Sequence, residues 1–345
     1  MKYAPIIIPT LDRYEKLKTC LESLSKNTGA SETDIFISLD YPPAEKYFAG
    51  YEKIKEYLTS IENLGFKSFQ IYYQKKNMGA KENAMFLIDM IKKDYDRYIF
   101  TEDDNVFSPC FLDFINKGLK LFESDDRVSF LCGYSGENNK QVGDNNIIAK
   151  SYFGTWGYGT WISKHESIEN QISRDNFRRL LKDKDICERL YKNKPDLFRY
   201  FFEAALSDKK DVGSVYGGYL YNNGEIAFID HTCGPIMCIN GYHTIHPTKS
   251  LVRNTGVEDG SGNHTCIWTD YDYSKQMISD NETFEYKYNL DSLFDKSSDL
   301  VNNQDYAPAK RAWILRRIYL VFGAKVTRTV MKVSYEISKW RGERS

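Results

Sequence analysis

The sequence predicts an α/β fold: a doubly wound, mostly parallel sheet flanked by helices, with a basic helical tail. Two observations carry this. Short apolar runs alternate with segments of helical period over the first 135 residues, and the connections between them are short. Such alternation packs helices onto both faces of a parallel sheet.

Tyr3–Pro9 is Ile-rich, bounded by proline, and reads as a buried strand. Asp12–Asn27 follows as a helix, with Leu17, Cys20, Leu21 and Leu24 at helical spacing and Asp12 as its N-cap. Asp34–Asp40 is the second strand, and Ala44–Leu64 the second helix, starting just after Pro42-Pro43. Ser68–Gln74 reads as strand, Gly79–Asp94 as helix, Tyr98–Thr101 as strand, Pro109–Phe122 as helix and Val128–Cys132 as a fifth strand. Beyond residue 150 the pattern loosens. Tyr, Trp and Gly dominate Tyr152–Trp161, helices are expected around Asp175–Tyr200, and Gly213–Asn240 reads as β-rich or irregular. The chain after Ala307 reads as helical. No linker marks a second core, so 1–307 is expected as one domain and 308–345 as a tail.

A 345-residue chain that is 41% hydrophobic is long enough for a proper core, which excludes a disordered or disulfide-stapled scaffold. The seven Cys are odd in number and never paired as C-x-x-C, which reads as free thiols in a reducing cytoplasm. The N-terminal run is too short for a secretory leader, and no apolar stretch approaches the ~20 residues of a membrane span. The net charge of −1 hides an asymmetry. From Pro308 to Ser345 ten Lys and Arg face Glu336 and Glu343, a net +8 that leaves −9 for residues 1–307.

In a parallel sheet, ligands bind beyond the carboxyl ends of the strands. Here those ends are Thr10–Arg13, Asp40, Asn77–Gly79, Glu102–Asp104 and Tyr134–Asn138. Neither a dinucleotide G-x-G-x-x-G nor a phosphate-binding G-x-x-x-x-G-K-[ST] occurs there, so both readings fall. Glu102-Asp103-Asp104 sets three carboxylates at a strand tip, where they repel one another unless a cation sits among them. A hard divalent ion shared with a diphosphate suits such oxygens. Strand alternation would point Glu102 and Asp104 one way and Asp103 the other. The competing reading is a solvated turn with an N-cap for the Pro109 helix.

Pro9-Thr10-Leu11-Asp12-Arg13, Asp40, Asn77-x-Gly79 and Glu102-Asp103-Asp104 together resemble the nucleotide-sugar domain of GT-A glycosyltransferases, and the E-D-D form resembles that of N-acetylglucosaminyltransferase I. Glu102–Tyr134, Trp156-Gly157-Tyr158-Gly159-Thr160-Trp161 and Ser250–His264 also resemble a bacterial group of GT-A sugar transferases, which carries W-G-W-A-T-W and S-L-V-x-N-x-G-x-D-G-S-G-x-H. Tyr158-Gly159 replaces Trp-Ala, and Glu258 is an extra residue before Asp259.

The resemblance implies residues 1–135 as the nucleotide-sugar half and 136–307 as the acceptor half. It implies Asp40 at the donor base or ribose, with Arg13, the Pro9–Thr10 backbone and Asn77 beside it, and Asp103 near the ribose. It further implies Asp104 and His264 as ligands of Mn²⁺ or Mg²⁺, a UDP-sugar as donor, and inversion at the anomeric carbon. Asp211 sits where the group places an Asp ahead of an aromatic segment. It is the expected base, with Glu203, Asp208 and Asp230 as rivals.

Trp156 is read as a ring against a sugar and Trp161 as core. Glu137, at the rim of the fifth strand, is placed to hydrogen-bond sugar hydroxyls. His231, Cys233, Cys238, His243 and His246 match no standard zinc spacing.

The tail reads either as an interfacial anchor on an anionic membrane face or as a helix docked on its own domain. Nucleic acid is not expected on an acidic body without a nucleic-acid module. The functional expectation is a metal-dependent glycosyltransferase acting on glycan or lipid-linked acceptors in surface polysaccharide synthesis, cytoplasmic or peripheral on the membrane's inner face. The alternatives are a sugar-phosphate nucleotidyltransferase and a carbohydrate-binding protein without turnover.

Overall fold

Three consecutive isoleucines, Ile6–Ile8, are fully buried on an interior strand of the sheet and open the first strand of the chain. The computed structural model describes residues 3–62, 64–136, 145–151, 154–206, 221–222, 225–226, 229–256, 276–294 and 306–340. Among them the chain forms two units, residues 1–165 with 243–298, and residues 166–242 with 299–345.

The first unit holds β1 (Ile6–Thr10), α1 (Tyr14–Ser25), β2 (Asp34–Leu39), α2 (Phe48–Ser60), β3 (Ser68–Tyr73), α3 (Ala80–Ile91), β4 (Arg97–Phe100), β5 (Asn105–Phe107), α4 (Phe111–Leu121), β6 (Val128–Cys132), β7 (Ile147–Lys150) and β8 (Tyr158–Trp161). Then α5 (Ile162–Glu169) leads out of it. The sheet order is β3-β2-β1-β4-β8-β6-β11-β7, where β11 is His243–Pro247. Strands β3, β2, β1 and β4 are parallel, β8 runs against β4 and β6, and β11 is parallel to β6. This is the predicted α/β class, a mostly parallel sheet flanked by helices.

Local sequence explains the details. Leu17, Cys20, Leu21 and Leu24 of α1 are all fully buried, as their spacing requires. Asp12 does not cap that helix: the N-cap is Arg13, without a side-chain cap bond. Pro9 is tolerated inside the sheet because β4 pairs only with Ile6 and Ile7, so no partner waits for its missing N–H. Gly159 of β8 lets α4 approach, since a Cβ there would lie 2.4 Å from Ile115 Cγ2.

Asp34 at the start of β2 accepts hydrogen bonds from Lys67 Nζ (2.7 Å), Ser68 Oγ (2.6 Å) and Tyr95 Oη (2.6 Å). Burial alone would raise its pKa, but these three donors hold it below the usual carboxylate value. A depressed folded-state pKa stabilises the fold above the unfolded value of about 3.9, and that contribution is lost as pH falls through the folded value. Asp34→Asn is therefore expected to cost roughly 1–3 kcal/mol at neutral pH. The difference from wild type should shrink in urea melts below about pH 4. A pH-independent difference would mean the charge is irrelevant.

The second unit contains α6 (Arg174–Leu180), α7 (Lys184–Asn193), α8 (Pro195–Leu206), the antiparallel pair β9 (Tyr221–Asn222) and β10 (Glu225–Ile226), α9 (Ile229–Asn240) and α11 (Tyr306–Trp340). Back in the first unit, β12 (Val252–Asn254) and α10 (Leu290–Leu293) follow β11. Residues 229–240, expected as β-rich or irregular, are helix. Gly234-Pro235 suggests a break, yet Cys233, Ile236 and Met237 are buried at helical spacing and hold the segment together.

The tail helix packs on its own unit. Trp313 stacks on Tyr191 at 5.0 Å, so this ring faces its own unit. Arg316 Nε donates to Leu181 O (2.8 Å) and Arg328 Nη1 to Leu206 O (2.8 Å), satisfying carbonyls just past α6 and at the end of α8.

Candidate functional site

The carboxyl ends of β1, β2 and β4 bring the acidic residues of the first unit together. β4 stops at Phe100, and Glu102–Asp104 turn into the short β5. The expected alternation of side chains therefore fails, because strand geometry ends two residues before Glu102. Instead Asp103 and Asp104 meet the same guanidinium: Arg13 Nη2 donates to Asp103 Oδ1, and Nη1 donates to Asp104 Oδ2 at 2.6 Å. Thr10 Oγ1, at the tip of β1, donates to Asp103 Oδ2 at 2.6 Å.

Asp103 is 2% exposed and Asp104 5%, so this is not a solvated turn. Nor does the triplet cap α4, whose N-cap is Cys110. Burial raises the pKa of Asp103, with Arg13 opposing. Burial likewise opposes the charge on Arg13, but Asp103, Asp104 and Glu102 outweigh it and raise its pKa.

A segment about 150 residues away completes the surroundings of Asp104. β12 pairs antiparallel with β5, Asn254 opposite Asn105. Asn254 Nδ2 donates to Asp104 Oδ1 (2.8 Å), and the Thr255 N–H and hydroxyl donate to the Asp104 carbonyl (2.8 and 2.9 Å). Lys16 Nζ donates to Thr255 O (2.8 Å). Gly256 lies so close that a Cβ would sit 2.1 Å from Asp104 Oδ2. Sequence reasoning did not assign Asn254, Thr255, Gly256 or Lys16 to the site. The first three stand in the Ser250–His264 segment that carries the family resemblance, and that was the available signal.

Asp40 follows β2 and is buried. Its Oδ1 accepts from the N–H groups of Tyr41 (2.9 Å) and Met78 (2.8 Å). Its Oδ2 accepts from Gly79 N–H (2.9 Å) and Asn77 Nδ2 (3.0 Å). Four donors fill the lone-pair positions of a carboxylate. Asp40 thus ties the end of β2 to the loop before α3, and Gly79 there has φ 86°, a left-handed value that favours glycine. Pro9 lies beside Thr10 on β1.

Trp156 is half-buried and packs edge-on against Tyr134 at 4.6 Å, near the end of β6. Trp161 is buried, as expected, with Lys164 Nζ over its ring at 4.0 Å. Glu203 lies on α8 of the second unit, buried and paired with Arg199 Nε at 3.1 Å. Glu137, Asp208, Asp211 and His264 lie outside the described residues. Among the described residues no three His, Cys, Asp or Glu side chains converge as a metal cage. His246, which the sequence excluded from zinc, has its Nδ1 2.8 Å from Tyr134 O.

No protein-family model matches this chain, and no curated protein does. Solved structures similar to it include S. aureus TarS 1–349, at 11% identity over 99% of this chain and 92% of that one, with a TM-score of 0.40. TarS 1–349 in complex with UDP matches at 14% identity over 59% and 55%, with a TM-score of 0.33. The mannosyltransferase PcManGT from Pyrobaculum calidifontis, in complex with GDP-Man and Mn²⁺, matches at 11% identity over 70% and 69%, with a TM-score of 0.36. The chain spans only 23% of the longer S. aureus TarS structure and 55% of the UDP complex.

Proposed function

We propose that the chain is a metal-dependent glycosyltransferase that moves a sugar from a nucleotide-diphosphate donor, UDP-sugar favoured, to a glycan or lipid-linked acceptor, with inversion. The observation that carries this is the buried Asp103–Asp104 pair at the carboxyl ends of parallel strands, bound by Arg13 and overlaid by Asn254–Gly256. The motif resemblance supports the same reading.

The residues fit a hard divalent cation. Asp103 and Asp104 share a single guanidinium and Glu102 adds its charge from farther off, so the neighbourhood keeps an excess of negative charge. Its donors are oxygens, which Mn²⁺ and Mg²⁺ prefer. Glycine at 256 keeps a Cβ from striking Asp104 Oδ2, an oxygen held at 2.6 Å by Arg13 Nη1, which would have to give way to the ion. Asp104 would hold the cation with His264 and with oxygens of the donor. When bound, the ion supplies Lewis-acid stabilisation of the departing diphosphate.

The protein's own groups do the rest. The loop held by Asp40 and Asn77 presents main chain to the nucleotide, while Asp103, fixed by Thr10, lies beside the ribose. Trp156 offers a ring edge to the sugar and Glu137 an acceptor for its hydroxyls. Asp211 takes the proton of the acceptor hydroxyl, whose oxygen attacks the anomeric carbon as the bond to the diphosphate breaks. Glu203 is poorly suited to that task, because its carboxylate is buried and already paired with Arg199.

Calorimetry with a panel of nucleotide-sugars, with and without Mn²⁺, tests the reading. Metal-dependent binding of one member, followed by sugar transfer to acceptor extract, is expected. Binding without turnover would favour the carbohydrate-binding alternative, and no binding at all would sink the proposal.

A further inference from the structure

α11 contains no Asp or Glu from Tyr306 to Ser334, yet carries seven Lys and Arg over that stretch. Gly323 (φ 75°, ψ −179°) divides it into two helical segments. One face is buried in the second unit through Ala309, Ala312, Leu315, Tyr319, Thr327 and Met331. Another face is apolar and open. Ile314, Ile318 and Val321 stand at i, i+4, i+7 before the break, and Val326, Val330 and Val333 repeat that spacing after it. Val321 is 73% exposed, Phe322 63%, and Ile314 and Val333 54% each. Lys310, Arg311, Arg317, Lys325 and Lys332 are exposed on the same helix. At the break lies an open depression of about 400 Å³, lined by Arg178, Lys182, Tyr319, Leu320, Gly323 and Ala324.

Among the described residues no helix is long and apolar enough to cross a membrane. An apolar stripe bordered by cations instead suits a helix lying in the plane of the headgroups. We infer that this face of α11 docks on an anionic phospholipid bilayer. The Ile and Val side chains and Phe322 enter the acyl boundary, Lys and Arg meet headgroup phosphates, and the depression at Gly323 receives one of them.

Charge selects this occupant. A second copy would bring five exposed cations against five. A nucleic acid would match the cations but leave the apolar stripe in water. An anionic bilayer meets both. The inference stands apart from the chemistry of the donor site.

The test is co-sedimentation of the full chain with vesicles of phosphatidylcholine alone or mixed with phosphatidylglycerol. Binding is expected only with the anionic lipid and should weaken with salt. Val326→Glu with Val330→Glu, which puts charge on the apolar face, and separately Lys325→Glu with Lys332→Glu, where each surface cation contributes about 1 kcal/mol, should each weaken it about tenfold or more. All four positions are exposed, so melting by circular dichroism should be unchanged. Three outcomes overturn the inference. One is absence of binding to anionic vesicles. Another is vesicle binding indifferent to both variant pairs. The third is a dimer or a DNA complex that the same substitutions abolish while vesicle binding persists.

Discussion

Asp104→Ala is expected to abolish metal-dependent donor binding and to lower turnover by about 10³-fold or more, the loss of several kcal/mol of charge stabilisation at the leaving group. Asp104 is not only a ligand candidate, however. Its carboxylate accepts from Arg13 and Asn254, so alanine also leaves two buried donors unmatched. Asp104→Asn separates the two effects. The amide keeps the volume and one acceptor oxygen, so this variant should melt closer to wild type than alanine does. It should nevertheless bind the donor no better than alanine, because the charge is gone. Calorimetry on both variants with Mn²⁺ decides. Full metal-dependent binding by Asp104→Asn would remove Asp104 from the proposed site.

The largest effect on stability should come from Arg13→Met. That change deletes the guanidinium shared by Asp103 and Asp104 and leaves two neighbouring carboxylates buried, at a cost of roughly 3–5 kcal/mol. Two linked behaviours should accompany it. Burial already raises Asp103, and loss of Arg13 removes the cation that opposes this rise. A carboxylate whose folded-state pKa is raised binds protons more readily in the folded state, so the variant's deficit should narrow as pH falls. Mn²⁺ should also raise the melting temperature of the variant more than that of wild type, since it would replace the lost counter-charge. Melts in chelator and in Mn²⁺ across pH 4–8, from about the ordinary carboxylate value upward, check both. Equal stability of variant and wild type would show that Arg13 does not hold the pair together.

Local periodicity carried most of the first unit. The four inward positions of α1 and the full extent of β6 were readable because side-chain spacing there is set by contacts with the sheet. Identifying strand ends also led directly to Thr10, Arg13, Asp40 and Asp103–Asp104. The arrangement around them was less legible. No residue near Asp104 announces that Asn254 will bond to it, because β5 and β12 are three-residue strands paired across about 150 positions. The turn after Phe100 stood only as a competing reading, since Thr101 and the acidic residues fit the end of a strand as easily as a bend. In α9, Gly234-Pro235 masked a helix that burial sustains. The two units escaped notice because the second is not joined at one linker. Its residues come from 166–242 and again from 299–345, so no single change in composition marks its edge.

That interrupted path also sets a timetable for synthesis. Val128 of β6 pairs with His243 of β11, 115 positions later by subtraction. β7 has no sheet partner but β11 among the described residues. A ribosome adding roughly 5–20 residues per second needs about 6–23 s to cover that interval. Meanwhile β1 through β4 can already assemble, while one side of the apolar β6 waits with its amide and carbonyl groups unpaired. An open strand edge of this kind is a template for pairing with another nascent chain. High expression, which crowds ribosomes on one message, therefore endangers this protein before its second half has emerged, and slower translation at low temperature is the condition that favours its recovery in folded form.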